Sequence, residues 1–252
     1  MQKSKNTSLY LPPKQTIEPQ AKRFEYKYWI NWKTYTQLKA RIKNVLTSDP
    51  NSDLQGKYTI RSVYFDSPQR HCVREKEDGL ENRKKYRARS YGTGDIPTIK
   101  FEIKYRDKHQ IWKQSISLSK QEYLDFITTK SLPHKTPFTN ELVHDFRSLS
   151  LSPITIVQYT REAYIYPFSN VRITFDSSLC HSSFCTDIFS DHPKIYAHPK
   201  DRLILEVKFD RFLPPLISSL LYKQLPQRTS ISKYILCYQG AYRQAFNLPS
   251  QQ

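Results

Sequence analysis

Long apolar runs, glycine and acidic residues are all scarce in this sequence of 252 residues. The longest apolar run, LISSLLY, is far shorter than the roughly 20 residues that a helix needs to cross a bilayer. The first 20 residues are polar and contain none of the hydrophobic segment of a signal peptide. We therefore expect no membrane span and a cytoplasmic location.

Cysteine and glycine are also used sparingly. The four cysteines are scattered through a long chain without a secretory signal, which predicts free thiols in a reducing compartment. Cys180, His181 and Cys185 are closely spaced, but they supply three of the four ligands of a structural zinc and predict no zinc site. With only five glycines, the turns depend on Asn, Asp, Ser and Pro.

Negative charge is in short supply relative to positive charge. Lys and Arg number 40 against 23 Asp and Glu, giving a formal net charge of +17. An excess of this size predicts an anionic partner: a nucleic acid, a membrane surface or phosphate. Charge alone does not distinguish these three.

The basic residues recur at every second position of segments that resemble β-strands. In KYRARSYG (85–92), one face carries Lys85, Arg87, Arg89 and Tyr91. Similar alternation predicts strands at 23–30, 98–106, 171–176 and 202–210, and further strands are predicted at 58–66, 111–118 and 155–166. Like charges on one face repel each other unless an anion lies among them.

Helical patterns fall between and after these strands. They cover 31–46 with Asn31 as N-cap, 119–130 with a capping box of Ser119 and Glu122, 138–149, and a tail after Pro215 that ends with 232–246. The sum predicts an α+β fold dominated by antiparallel strands. We expect a mobile arm at 1–21 and one domain at 22–248.

The charged faces have two interpretations. One is an ordinary sheet with a solvated outer face, which usually mixes Thr, Ser, Gln, Glu and Lys. Here three strands instead offer one isolated glutamate each, Glu25, Glu102 or Glu206, among Lys and Arg. This favours a closed barrel with a basic interior. Unpaired buried charges are costly, so such an interior requires a polyanion, together with a metal.

A family resemblance supports the barrel. The segments FEYKYWI, SVYFDS, KYRARSYG, FEIKYR, RITFDSSL, LILEVKFD and SISKY occur in the order found in the VTC domain. This is the polyphosphate polymerase domain of the vacuolar transporter chaperone family, within the CYTH-like triphosphate tunnel superfamily. The resemblance runs from about Arg23 to Gly240. It implies an antiparallel β-barrel with helices packed around a basic tunnel, which binds ATP, polyphosphate and Mn²⁺ or Mg²⁺.

The resemblance also implies roles for individual residues. The catalytic set comprises Lys27, Arg87, Arg89, Lys104, Lys113, Arg161, Arg172 and Lys233, and Glu206 is the metal ligand. Substrate-binding candidates are Arg74 (with Lys76 as the alternative), Lys85, Lys208, and Arg228 in place of a family lysine that is Ser230 here. Arg23 occupies the position of the first glutamate of CYTH triphosphatases, and this loss of a metal-binding carboxylate favours a polymerase.

The implied function is transfer of the ATP γ-phosphate to a growing polyphosphate chain with release of ADP. A catalytically silent polyphosphate-binding or regulatory subunit and a CYTH-like triphosphatase are the alternatives. A nucleic-acid-binding barrel is least favoured, because the three glutamates would repel a phosphodiester backbone. Whether a membrane or regulatory subunit joins the protein is left open.

Overall fold

The structure, a computed structural model, describes residues 21–91, 98–182, 186–190, 195–222 and 225–246. Its strands are β1 Phe24–Asn31, β2 Thr47–Ser48, β3 Lys57–Asp66, β4 Arg83–Tyr91, β5 Thr98–Asp107, β6 Gln110–Ser119, β7 Ser152–Tyr166, β8 Val171–Ser182, β9 Ile195–Tyr196 and β10 Arg202–Phe209. Its helices are α1 Trp32–Ile42, α2 His71–Glu77, α3 Lys120–Thr129, α4 Pro137–Ser148, α5 Pro215–Tyr222 and α6 Lys233–Ala245. The predicted arm at 1–21 lies outside the described residues except for Ala21.

The strands form one antiparallel sheet that curls on itself. Its order is β1-β10-β8-β7-β3-β4-β5-β6, with β2 paired to β7 and β9 paired to β8. The two edge strands meet where Arg23 and Ile111 exchange backbone hydrogen bonds of 2.9 and 3.0 Å. The predicted α+β fold, an antiparallel barrel with helices around it, is confirmed.

Alternation along each strand separates the core from the interior of the barrel. On β5, for example, Ile99, Phe101 and Ile103 are fully buried on the outer face beneath helices. One apolar core lies between β3–β7 and helices α3, α4 and α6, and a second lies between β1, β8, β10 and helices α1 and α5. Lys100 and Lys104 therefore face the opposite side, the inside of the curl.

The local signals for helices are confirmed at several ends. Asn31 caps α1 by accepting from the Thr34 backbone N–H at 2.9 Å, and Ser119 and Glu122 form the predicted capping box of α3. Helix α1 ends at Ile42, four residues before the predicted end. Helix α2 and the two-residue strands β2 and β9 were not predicted. None of the helices in the described residues is long and apolar enough to cross a membrane.

A single buried carboxylate explains the unpredicted helix α2. Asp66, at the end of β3, accepts from the backbone N–H groups of Cys72 at 2.9 Å and Val73 at 3.1 Å. It also accepts from Ser67 N–H at 2.8 Å and from the Tyr234 hydroxyl at 2.7 Å. The carboxylate therefore supplies the missing cap of α2 and ties both α2 and α6 to the sheet.

We predict that Asp66→Ala lowers the free energy of unfolding by about 3–5 kcal/mol, because it leaves several buried donors without an acceptor. The melting temperature should fall by about 10 °C for a chain of this size. Asp53→Ala is the control, since the exposed Asp53 carboxylate accepts, within the described residues, from two loop N–H groups, those of Gln55 and Lys57. Equal losses in the two variants, measured by thermal and urea unfolding, would contradict the assigned role.

Candidate functional site

The inner face of the sheet encloses a cavity of about 1550 Å³, called the channel below. Seventeen Lys and Arg residues line it, against four Asp and Glu residues. Its lining includes these predicted site residues: Lys27, Lys85, Arg87, Arg89, Lys104, Lys113, Arg161, Arg172, Glu206, Lys208, Arg228 and Lys233. Side chains that are up to 206 positions apart in sequence thus face one space.

Arg74 is the predicted site residue that does not line the channel. Lys76, the alternative candidate, lines it and donates to the Ser230 hydroxyl at 2.9 Å. Both residues belong to α2, where a separation of two positions turns a side chain through about 200° around the helix axis. The sequence offered no means of choosing between them, because α2 was not predicted.

Strands β4 and β5 present a ladder of cross-strand pairs to the channel. Its four rungs are Arg83–Arg106, Lys85–Lys104, Arg87–Glu102 and Arg89–Lys100. Successive rungs are about 6.5–7 Å apart along a strand. Three of the four rungs place like charges directly opposite each other, an arrangement that destabilises a sheet unless an anion is bound.

Glu102 holds the one rung of opposite charge. Its carboxylate is fully buried and forms ion pairs with Arg87 at 2.6 Å and with Lys113 at 2.5 Å. Arg87 also donates to the Tyr64 hydroxyl at 3.1 Å. Burial opposes ionisation of Glu102, but Arg87, Arg89 and Lys113 hold its pKa well below the usual value. Glu102 therefore positions two of the predicted catalytic cations.

Glu206 lies at the centre of a second group of cations. Four of them lie within 4 Å of its carboxylate: Lys233 at 2.5 Å, Lys208 at 3.2 Å, Arg161 at 3.5 Å and Lys27 at 3.6 Å. Asp176 lies behind this group and accepts from Arg161 Nε and Nη2, both at 2.6 Å, and from Lys233 at 2.6 Å. Arg161 and Lys233 are thus fixed from two sides.

Glu25 is a third glutamate that is held among cations on the inner face of the sheet. It pairs with Lys104 at 2.8 Å and Lys27 at 3.4 Å, and Lys208 lies at 3.8 Å. Burial opposes its ionisation, but Lys104 and Lys27 lower the pKa of Glu25 below its usual value. Because Lys27 and Lys208 contact both Glu25 and Glu206, β1 and β10 are joined by alternating charges.

Two arginines differ in how they are held. Arg172 contacts the Asp49 carboxylate and donates to the Tyr58 hydroxyl at 2.8 Å. Buried Arg89 instead donates to the Ser62 hydroxyl at 3.3 Å and, within the described residues, makes no salt bridge with a carboxylate. Its guanidinium is therefore available to an anion. The sequence did not reveal Asp49 or Tyr58, because neither lies in a segment with the basic alternation.

Comparison with known proteins identifies the family. The family model described as the VTC domain matches residues 22–242. The chain belongs to the VTC domain family. A comparison with curated protein sequences gives no match.

Two solved structures resemble this VTC domain. One is a Hippeastrum protein assigned as an adenylyl cyclase and described as having a dominant triphosphatase activity; the sequences are 10% identical over 87% of this chain and 95% of the other, with a TM-score of 0.54. The other, from Bacillus halodurans and assigned as an adenylate cyclase, is 12% identical over 91% of this chain and 94% of its own, with a TM-score of 0.45. The Hippeastrum likeness shows a shared fold, and the predicted triphosphate tunnel fold is confirmed.

The residue of this VTC domain that could hold a divalent metal ion is Glu206, as a single carboxylate ligand. Within the described residues, no three Asp, Glu, His or Cys side chains form a group that could hold a metal. Mg²⁺ commonly takes one or two carboxylates and completes its shell with substrate phosphates and water. Glu206 fits that pattern through its less tightly paired oxygen, Oε2, which lies 3.2 Å from Lys208 and 3.5 Å from Arg161. The other oxygen, Oε1, lies 2.5 Å from Lys233. Of the three closely spaced residues Cys180, His181 and Cys185, the last lies outside the described residues.

Burial makes several channel lysines easier to deprotonate. It lowers the pKa of Lys208 to about 7, even though Glu206 and Glu25 favour the charged form. Burial, Lys27 and Lys104 also lower the pKa of Lys85 well below its usual value. In both lysines the cost of burying the charged form exceeds the attraction of the surrounding groups, so a bound polyanion should raise their pKa values.

We predict that the VTC domain takes up protons when it binds tripolyphosphate at pH 8, a pH above the lowered pKa of Lys208. Calorimetric titrations in two buffers of different ionisation enthalpy measure this uptake. It should be smaller in Lys208→Arg, because arginine stays protonated. The wild-type affinity should also fall more steeply than that of Lys208→Arg as the pH rises through 7.

The matched control is Lys39→Arg, which changes a lysine paired with Glu162 outside the channel. Protonation of the phosphate itself contributes equally to all three proteins and cancels in the comparison. Identical proton uptake by wild type and Lys208→Arg would show that Lys208 does not titrate in this range.

Proposed function

We propose that this protein is a polyphosphate polymerase, which transfers the γ-phosphate of ATP to the end of an inorganic polyphosphate chain and releases ADP. The observation that carries the proposal is the channel, where seventeen cations face four acidic residues. The deep carboxylates of Glu25, Glu102 and Glu206 are already shared among cations. The charge that remains suits a linear anion with many regularly spaced charges.

The chemistry requires positioning more than a protein base. A terminal phosphate has a second pKa of about 6 and is largely ionised near neutral pH, so its oxygen can attack without a general base. A bond forms from that oxygen to the γ-phosphorus, and the bond to the β–γ bridging oxygen breaks with its electron pair leaving on ADP. Phosphoryl transfer of this type depends mainly on alignment and charge stabilisation.

Different channel residues would stabilise charge on the transferred phosphate and orient the other phosphates. Lys27, Arg161 and Lys233 surround Glu206 and would stabilise charge on the transferred group. Arg89 would orient the phosphates farther along the ladder. A divalent ion held by Glu206 would supply charge neutralisation between neighbouring phosphate oxygens. No step requires a covalent enzyme intermediate.

Arg23 favours this function over a triphosphatase. It occupies the position of a metal-binding glutamate in CYTH triphosphatases, and here it pairs with Asp210 at 2.9 Å. Strand β1 therefore contributes one inner carboxylate, Glu25, which is engaged by Lys104. With fewer carboxylates for metal binding, activation of a water molecule is less well supported than attack by an already ionised phosphate.

Silent polyphosphate binding is the second candidate. The observation in its favour is that Glu206 already has four cations within 4 Å, so a metal must compete for the carboxylate. A silent binder and a polymerase would make the same predicted contacts with polyphosphate in the channel. They differ only in whether ATP is consumed.

We predict that the purified protein converts ATP into ADP and long-chain polyphosphate when Mn²⁺ is supplied. Gel electrophoresis of the polymer and quantification of ADP and orthophosphate separate the candidates. Release of orthophosphate without polymer would indicate a triphosphatase. Binding of added polyphosphate without consumption of ATP would indicate a silent binder.

We predict that Glu206→Gln reduces turnover about 100-fold or more at low Mn²⁺ through loss of charge at the reacting group, and that high Mn²⁺ restores part of it. Tripolyphosphate binding without metal should persist or strengthen, since the variant removes a negative charge. Glu162→Gln is the control: Glu162 is also buried and paired with a lysine, Lys39, but lies outside the channel. Wild-type turnover of Glu206→Gln at low Mn²⁺ would exclude Glu206 as the metal ligand.

A further inference from the structure

We propose that Arg83 and Arg106, the end rung of the β4–β5 ladder farthest from Arg89, form with Lys76 a separate binding site. This site would hold the part of a polyphosphate chain that extends beyond the reacting phosphates, and Arg83–Arg106 is called the outer rung below. This outer site rests on the proposed function for the identity of its ligand. Its role would be to retain a long chain. Arg83 and Arg106 are outside the predicted site residues, and Lys76 is the alternative to Arg74 among the substrate-binding candidates.

The first argument is the register of the sheet. Arg83 and Arg106 are directly opposite each other on adjacent antiparallel strands, and both line the channel. Like charges in this position repel and destabilise a sheet. The pair is not isolated from solvent, so it does not require a permanent partner, but a bound anion would relieve the repulsion.

The second argument is the kind of partner that each arginine has. Arg83 contacts the Leu80 carbonyl, and Arg106 Nε donates to the Lys108 carbonyl at 2.8 Å. Within the described parts of the chain, neither guanidinium forms a salt bridge with a carboxylate. Glu75 acts on Arg83 through its charge, but its carboxylate contacts His71 at 3.1 Å.

The third argument is convergence on this rung from a helix. Lys76 of α2 also lines the channel, and its ammonium group donates to the neutral Ser230 hydroxyl at 2.9 Å. Burial lowers the pKa of Lys76, and the charges of Arg83 and Arg106 lower it further. Helix α2 packs against β4, so Lys76, Arg83 and Arg106 reach one channel from three elements.

The fourth argument is continuity with the predicted reaction centre. Arg83, Lys85 and Arg87 occupy the same face of β4, and about 13 Å of strand separates Arg83 from Arg87. Phosphates held near Arg87 and Lys85 can therefore continue in one direction to Arg83. A linear polyphosphate supplies negative charge at each of these positions. A short anion held at the centre does not reach the outer rung.

The test compares tripolyphosphate with polyphosphate of several tens of phosphate units, both without ATP or metal. The variant is Arg106→Glu, which turns the outer rung into a pair of opposite charges and should preserve or increase thermal stability. We expect the affinity for long chains to fall about tenfold or more and its salt dependence to become shallower, because phosphate contacts are lost. The affinity for tripolyphosphate should change much less.

The matched control is Arg41→Glu, the same change of charge at an exposed position on α1 outside the channel. An equal loss of long-chain affinity in Arg41→Glu would overturn the outer site and indicate a general effect of net charge. An equal loss for both ligands in Arg106→Glu would also overturn it, because the rung would then belong to the central site. If Arg106→Glu fails to fold, Arg83→Gln with Arg106→Gln applies the same criteria.

The proposed function is tested separately by polymer synthesis. Loss of long-chain binding in Arg106→Glu, combined with no synthesis by the wild type, would support the outer site and refute the polymerase. Synthesis by the wild type, combined with unchanged long-chain binding in Arg106→Glu, would support the polymerase and refute the outer site.

Discussion

The interaction on which the structure depends is the sharing of a few buried carboxylates among many enclosed cations. Glu102 holds Arg87 and Lys113, whereas Glu206 contacts four cations, the nearest being Lys233. Such ion pairs gain little net stability, because desolvation offsets most of their attraction. Their value is positional: each cation is kept at a defined place on the inner face. The free energy that keeps the sheet curled must come from the apolar packing outside it.

That packing and the channel are connected within single elements. At the start of α6, Lys233 turns toward Asp176 and Glu206, while its neighbour Tyr234 donates to Asp66 behind the sheet. The Tyr234 ring also stacks on Tyr64, with centroids 4.8 Å apart. Adjacent residues of α6 thus contribute to the channel and to the core. A change in core packing near α6 would displace a predicted catalytic lysine without altering its chemistry.

Much of the fold and most of the channel could be predicted, because a strand has a period of two and alternation alone assigns each residue to a face. This holds for Lys85, Arg87 and Arg89, and the capping box similarly marked the start of α3. Features that depend on distant residues could not be predicted. Helix α2 takes its cap from Asp66 and turns Lys76 rather than Arg74 to the channel, while Asp49 reaches Arg172 from outside any basic strand. The pairing of Arg83 with Arg106 required the register of the sheet.

The distribution of carboxylates also indicates the direction in which a ligand should lie. Arg161 and Lys233 share Asp176 and Glu206, so their charges are largely matched before any ligand binds. Along β4 and β5, Glu102 matches one rung and Glu25 pairs with Lys104 of a second, whereas the Arg83–Arg106 and Arg89–Lys100 rungs form no salt bridge within the described residues. The unmatched positive charge therefore follows the strands in steps of about 6.5–7 Å. An anion that runs parallel to β4 would reach both unpaired rungs, whereas a compact anion would leave at least one of them without a partner.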